Sequence, residues 1–319
     1  MTRTYRHWAQ INETGFVAGM RLLFWLYRIA GRLPFRLALY PVLGWYLLTK
    51  PTARHASRDY LRRVRASGVA GNTGPPRPGL IGVFQHFSAF AESILDKLLL
   101  WGGLFKTKDV IYTGQEHMRA NLQAQRGGLL ICAHLGNLEL CRVLSRECSG
   151  LRITVLVHTR HAQAFNRLLA QLDPNSQLNL MQVTELTPAM AMLLAEKVAR
   201  GEFVAIAGDR IPVSPNPRVA FASFLGAPAP FPIGPYVLAS VMQCPVYLLF
   251  SLTVGDRSEC HFELFRDAIR LPRKDRNQAL DELAAAYAAR LEHFCLKAPL
   301  QWFNFYDFWR LSGYDNASR

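Results

Sequence analysis

From residue 79 onward the chain alternates short apolar runs with stretches of helical periodicity, and that alternation restricts it to an α/β layer. Strands are expected at 129–133, 153–157, 178–183, 203–207, 246–252 and 261–265. Helices are expected at 138–147, 162–172, 188–200, 235–242 and 277–297. The helix at 188–200 is the best signalled: Thr187 can cap it, Pro188 suits its first position and Gly201 suits its end. The expected fold class is therefore α/β, a mostly parallel central sheet flanked by helices. Ligands of such sheets bind beyond the carboxyl ends of the strands.

Ahead of this region, Gly71-Asn72-Thr73-Gly74-Pro75-Pro76-Arg77-Pro78 reads as a linker. It divides the chain into a segment 1–78 and a domain 79–319. Charge divides it in the same place. The whole chain of 319 residues carries a formal net charge of +14, and residues 1–66 hold twelve Arg/Lys against two acids, Glu13 and Asp59. Basicity of this size calls for an anionic partner. In 1–66 the bases alternate with Phe16, Phe24, Trp25, Tyr27, Tyr40, Trp45 and several leucines, the mixture of a membrane interface rather than of a nucleic-acid arm. A spanning helix needs roughly 20 apolar residues. The longest uncharged stretch, 37–49, is interrupted by Pro41, and Arg21, Arg28, Arg32 and Arg36 break the rest. Two interfacial helices or a shallow re-entrant hairpin are expected, with a helix pair buried in the globular core as the competing reading.

Several classes of chemistry lack their signatures. The six cysteines (Cys132, Cys141, Cys148, Cys244, Cys260, Cys295) include no Cys-x-x-Cys and read as reduced core thiols. His158 and His161 have no cysteine or carboxylate at ligand spacing, so no metal site is expected. Phosphate-binding glycine loops are missing too, which argues against nucleotide chemistry.

The candidate chemistry sits in Ile131-Cys132-Ala133-His134-Leu135-Gly136-Asn137-Leu138-Glu139. His134 ends the first expected strand, and Glu139 lies one helical turn further along. A carboxylate beside an imidazole fixes its tautomer and supports the charge that develops on proton abstraction. Spacing alone is weak support, since His86 and Glu92 make a comparable pair upstream. Asp209 comes just after the fourth expected strand, so it and His134 can reach one cleft. Two further segments end strands, Val157-His158-Thr159-Arg160 and Ala207-Gly208-Asp209-Arg210. The run 224–235 (Phe-Leu-Gly-Ala-Pro-Ala-Pro-Phe-Pro-Ile-Gly-Pro) is too rich in Pro and Gly for regular structure and reads as a loop walling a groove.

These blocks, in this order and spacing, resemble the bacterial lipid A biosynthesis acyltransferase family, a branch of the glycerolipid and lysophospholipid acyltransferases. The resemblance covers roughly residues 80–310. His134 and Glu139 match its His-four-residues-Glu block, and Val157 to Arg160 its second block. Asp209 matches the aspartate of the third, with Arg210 next to it where members often carry Gln or His. The 224–235 run and the ending Pro299-Leu300-Gln301-Trp302 are also similar.

The resemblance implies a glycerolipid-acyltransferase-like fold with N-terminal membrane-associating helices, at the cytoplasmic face of the inner membrane. It implies transfer of a fatty acyl or related polyene acyl chain from an acyl carrier protein or coenzyme A thioester. The acceptor would be a hydroxyl or amine of a lipid-like molecule. His134 would be the general base and Glu139 its orienting carboxylate. Arg160 and Arg210 would bind phosphate or an oxyanion, with Asp209 positioning one of these arginines. Asn137 would donate a hydrogen bond to substrate or cap the next helix, the cap being favoured. Phe224, Gly226 and Gly234 are the remaining substrate-binding candidates. The aromatic run 302–309 reads as an anchor on the core. No cofactor is expected. The partners expected are acyl carrier protein, which is acidic, and anionic membrane lipids. A thioesterase using the same dyad, and a basic nucleic-acid-binding protein, are the rival readings.

Overall fold

A computed structural model describes residues 31–68, 76–101, 110–140, 151–157, 178–182, 187–212, 217–255 and 257–310. Three helices come first: α1 (Arg32–Thr49), α2 (Pro51–Ala66) and α3 (Leu80–Trp101). Next come β1 (Val110–Thr113), α4 (Gln115–Gln123), β2 (Gly128–Cys132), β3 (Ile153–Val157), β4 (Leu178–Gln182), α5 (Pro188–Ala199) and β5 (Phe203–Ala207). The remainder is β6 (Val219–Phe224), β7 (Ala227–Pro232), α6 (Gly234–Met242), β8 (Val246–Val254), β9 (Arg257–Arg266) and α7 (Arg276–Lys297).

Seven strands form the main sheet in the order β1-β9-β8-β2-β5-β3-β4. Every neighbouring pair is parallel except the β8–β9 hairpin, so the sheet is mostly parallel, as the alternation predicts. All five residues of β2 are buried, which fits a central strand covered on both faces. Its side chains alternate between two apolar clusters. Leu129, Ile131 and Ala133 join the larger one, with buried residues of α1, α2, α3, α5, α6 and α7. Leu130 and Cys132 join the smaller one, with Met118 of α4. The two faces of the strand thus point into different helical layers.

Thr187 caps α5 as expected, accepting a hydrogen bond from the Met190 amide at 3.3 Å. Cys132, Cys244, Cys260 and Cys295 are buried, in line with core thiols. Five elements escape the sequence reading: β1, α3, α4, β6 and β7. The helix expected at 162–172 lies outside the described residues.

The run 224–235 requires a correction. It is a two-stranded antiparallel ribbon, β6 against β7, running into α6. Pro228, Pro230 and Pro232 alternate along β7, opposite Ser223, Phe221 and Val219. Antiparallel partners alternate between hydrogen-bonded and non-bonded pairs. Prolines at every second position therefore all take non-bonded sites, where no amide proton is needed. The turn is two residues, Leu225 and Gly226, both with positive φ (49° and 79°), as a type I′ hairpin turn demands. The cost of this conformation at Leu225 is offset by a bond from its amide to Glu292 Oε2, 2.5 Å away.

α1 is apolar on both sides. Phe35, Leu39, Leu43 and Leu47 are buried, whereas Leu37, Trp45 and Leu48 are 71%, 70% and 73% exposed. Leu80 and Ile81, at the start of α3, are also exposed. No helix among the described residues is long and apolar enough to cross a membrane.

Candidate active site

Strand register builds the site. In the adjacent parallel strands β2 and β5, Cys132 stands opposite Ala207. Two residues beyond each strand end come His134 and Asp209. The His134 amide donates to Asp209 Oδ2 at 2.7 Å, and the ring Nδ1 lies 2.8 Å from Oδ1. The indole Nε1–H of Trp302 donates to Oδ2 at 2.9 Å. Asp209 is wholly buried, while the His134 side chain is 36% exposed.

The protons can be placed from these contacts. Burial alone would raise the Asp209 carboxyl. The His134 ring, its two hydrogen bonds and the Arg210 charge more than offset this and hold it below the ordinary value. An ionised carboxylate only accepts, so His134 Nδ1 carries the hydrogen and Nε2 the lone pair. Burial and the nearby Arg210 charge push the imidazole below its ordinary pKa, against the opposing pull of Asp209. His134 is thus a neutral base near pH 7, held in one tautomer by a buried anion.

Glycine makes the close approach feasible. Gly136 has φ +59°, and a Cβ there would lie 2.1 Å from the Ser251 carbonyl oxygen. At Gly208 a Cβ would lie 2.7 Å from both Ile131 Cγ2 and Tyr287 Cζ. The Gly208 amide and the Tyr287 hydroxyl each donate to the Cys132 carbonyl at 2.8 Å, pinning the end of β2. The segment 301–303 runs antiparallel to 134–136. Gly136 N–H donates to the Gln301 carbonyl and Phe303 N–H to the His134 carbonyl, both at 2.8 Å.

The carboxylate on His134 Nδ1 is therefore Asp209, whereas the sequence expectation set Glu139 beside the imidazole and Asp209 beside an arginine. Asp209 holds the histidine by two hydrogen bonds, with the Arg210 charge nearby. Glu139 lies in the first turn after Asn137, and its amide donates to Asn137 Oδ1 at 3.1 Å. The helix that Asn137 is expected to cap lies largely outside the described residues, and the Asn137 Nδ2 is buried without a partner. The Glu139 carboxylate lies within electrostatic reach of Lys97.

Arg210 donates from Nη2 to the Phe303 carbonyl at 3.2 Å. Phe224 is wholly buried, its ring 5.2 Å from that of Trp302, so it is a packing residue behind Asp209 rather than a groove wall. Gly226 sits in the β6–β7 turn and Gly234 opens α6, both backbone positions. Arg160 lies outside the described residues.

Sequence reasoning misses three contributors to the site, two of them in one run. Trp302 and Tyr306 belong to the aromatic run read as an anchor. That run is indeed largely buried, yet Trp302 also holds Asp209, and the Tyr306 hydroxyl lies 3.5 Å from the Asp209 carbonyl oxygen. Lys97, on α3, is the third. Ser93, one turn earlier on the same face, donates to the Gly136 carbonyl at 3.3 Å, so this face meets the loop that follows β2. Burial and Arg210 lower the Lys97 pKa, and Glu139 opposes them. A single lysine beside the apolar run Leu98-Leu99-Leu100-Trp101 is the signal present in the sequence.

A neutral imidazole backed by a buried carboxylate, at the carboxyl ends of adjacent parallel strands of an α/β fold, is an arrangement able to take a proton from an O–H or N–H group. Comparison with known proteins gives the particular family. Residues 104–311 match the model of the family described as bacterial lipid A biosynthesis acyltransferase, and the chain belongs to that family. Membership makes this a lipid acyltransferase domain. A search of curated proteins returns no match to the chain.

Proposed function

We propose that the protein moves a fatty acyl or related polyene acyl chain from an acyl carrier protein or coenzyme A thioester to a hydroxyl or amine of a lipid-like acceptor. The observation that carries this reading is the His134–Asp209 pair, with Nδ1–H bound 2.8 Å from a buried carboxylate oxygen. His134 Nε2 takes the proton of the acceptor O–H or N–H as that atom attacks the thioester carbonyl. The new C–O or C–N bond forms and the carbonyl electrons move onto oxygen. Collapse of this intermediate breaks the C–S bond, and the imidazolium returns its proton to the departing thiolate. Asp209 stabilises the imidazolium, and base catalysis of this kind contributes about 10²–10⁴-fold. Arg210 and Lys97, both within electrostatic reach of His134, supply positive charge for the oxyanion or for an anionic headgroup.

The exposed apolar face of α1, with Leu80 and Ile81, is the proposed contact with the cytoplasmic face of an anionic inner membrane. Acyl carrier protein is acidic and suits the basic surface. The direct experiment supplies purified protein with acyl carrier protein thioesters, coenzyme A thioesters and a bacterial lipid extract, and monitors products by mass spectrometry. Acylated lipid supports the reading. Release of free fatty acid alone, with no acylated lipid, would mark a thioesterase instead.

A further inference from the structure

His86, which residue spacing pairs with Glu92, has a different role in the fold. Glu92 is held by Arg36, whose Nε and Nη2 donate to its carboxylate at 2.8 and 3.0 Å. His86 is wholly buried on α3. Its Nε2 lies 3.0 Å from the Trp302 carbonyl oxygen, and its Nδ1 lies 2.9 Å from Ser57 Oγ on α2. A carbonyl only accepts, so Nε2 carries the proton and Nδ1 accepts from the Ser57 hydroxyl. Around the ring stand Tyr60, Phe87, Phe303 and Phe305, with no charged group in contact with it among the described residues. Burial lowers its pKa to about 4, so this tautomer persists at neutral pH.

Trp302 is thereby held at both ends. Its carbonyl is fixed by His86 and its indole N–H by Asp209, and the residues on either side are bonded to the catalytic loop. A continuous path runs from Ser57 through His86, Trp302 and Asp209 to His134. Hydrogen bonds make each step except the passage through Trp302, which is covalent. We propose that His86 is a positioning residue of the His134–Asp209 dyad, acting through Trp302, and that Ser57 ties this geometry to the docking of α2. Releasing the Trp302 carbonyl frees the residue to turn, and Asp209 loses the donor that fixes its rotamer.

The inference rests on His134 being the base, so its test reads the dyad without substrate. The full chain in detergent, with ¹⁵N-labelled histidine, is titrated by NMR as wild type, His86→Phe, His86→Gln and Ser57→Ala. Asp209 raises the His134 pKa, so a loosened Asp209 lets it fall. His86→Phe keeps the ring shape and loses both hydrogen bonds. We expect its His134 midpoint to drop by about half a pH unit. His86→Gln, which keeps an N–H for the Trp302 carbonyl, should restore most of the wild-type midpoint. Ser57→Ala should move the midpoint in the same direction by less, and serves as the test if His86→Phe does not fold. In transfer assays with acyl carrier protein thioesters, kcat should fall roughly tenfold in His86→Phe with KM unchanged. Identical His134 titrations in wild type and in every variant that folds would overturn the proposal. If neither wild type nor any variant transfers acyl groups yet the midpoints shift as expected, the positioning role stands and the acyltransfer reading is the one that fails.

Discussion

Trp302 donates its indole N–H to Asp209 Oδ2, the same carboxylate oxygen that accepts the His134 amide. One buried anion thus joins the end of β2, the end of β5 and the C-terminal segment. Trp302→Phe keeps an aromatic ring against Phe224 and Phe308 and removes one donor from a buried carboxylate. The expected cost is about 1–3 kcal/mol of stability, read by chemical denaturation, with transfer activity lowered more than for a packing change alone.

Stability should fall with acid. His86 is neutral in the fold with a pKa of about 4, whereas an unfolded histidine titrates near 6.5. Below that value the unfolded chain binds a proton that the native state refuses. Stability is therefore full above pH ~6.5 and is lost as pH falls towards ~4, by about 3 kcal/mol from this residue. The depressed His134 acts with the same sign. Denaturation midpoints at pH 7 and pH 4.5 check this, and a flat profile would contradict it. For the same reason the acid limb of kcat/KM should lie below the ordinary histidine value.

Glycine substitutions separate steric need from conformational preference. Gly136→Ala places a methyl group 2.1 Å from a backbone oxygen, so the loop must move. A loss of roughly 2 kcal/mol or more is expected, together with activity. Gly226→Ala has positive φ but nothing within 4 Å of the new carbon, so about 1 kcal/mol is expected and activity should survive. Thermal melts with parallel assays distinguish the two.

The α1 face makes a separate prediction. Leu37→Glu with Leu48→Glu changes two exposed side chains and leaves the buried stripe Phe35, Leu39, Leu43 and Leu47 intact. Flotation with anionic phospholipid vesicles should fall at least tenfold, while the His134 titration stays unchanged. Full retention on vesicles would place the membrane contact elsewhere.

The layered fold is legible in the sequence because its cues are local. Strands 153–157 and 203–207 and the helix starting at Pro188 arise from short apolar runs, a cap and a proline. The hairpin at β6–β7 is not legible, because prolines signal loops unless their period of two is read against a partner strand. At the site, His134 and Asp209 stand out as residues just beyond strand ends. Their pairing does not, since it depends on β2 lying beside β5, and 75 residues separate the two. Glu139 is the nearer carboxylate in sequence, whereas the one bonded to His134 Nδ1 is Asp209. Trp302 is hidden for the same reason: only tertiary packing shows that one ring of an aromatic run turns its N–H to a buried anion.

His134 as base and Asp209 as its orienting carboxylate are the central claim. The most direct measurement is acyl transfer from acyl carrier protein thioesters to a bacterial lipid extract by wild type, His134→Ala and Asp209→Asn, with folding checked by circular dichroism. Asp209→Asn keeps the shape and removes the charge that fixes the tautomer. Both variants should lose transfer by roughly 10²–10⁴-fold while remaining folded. Full transfer by both folded variants would contradict these roles.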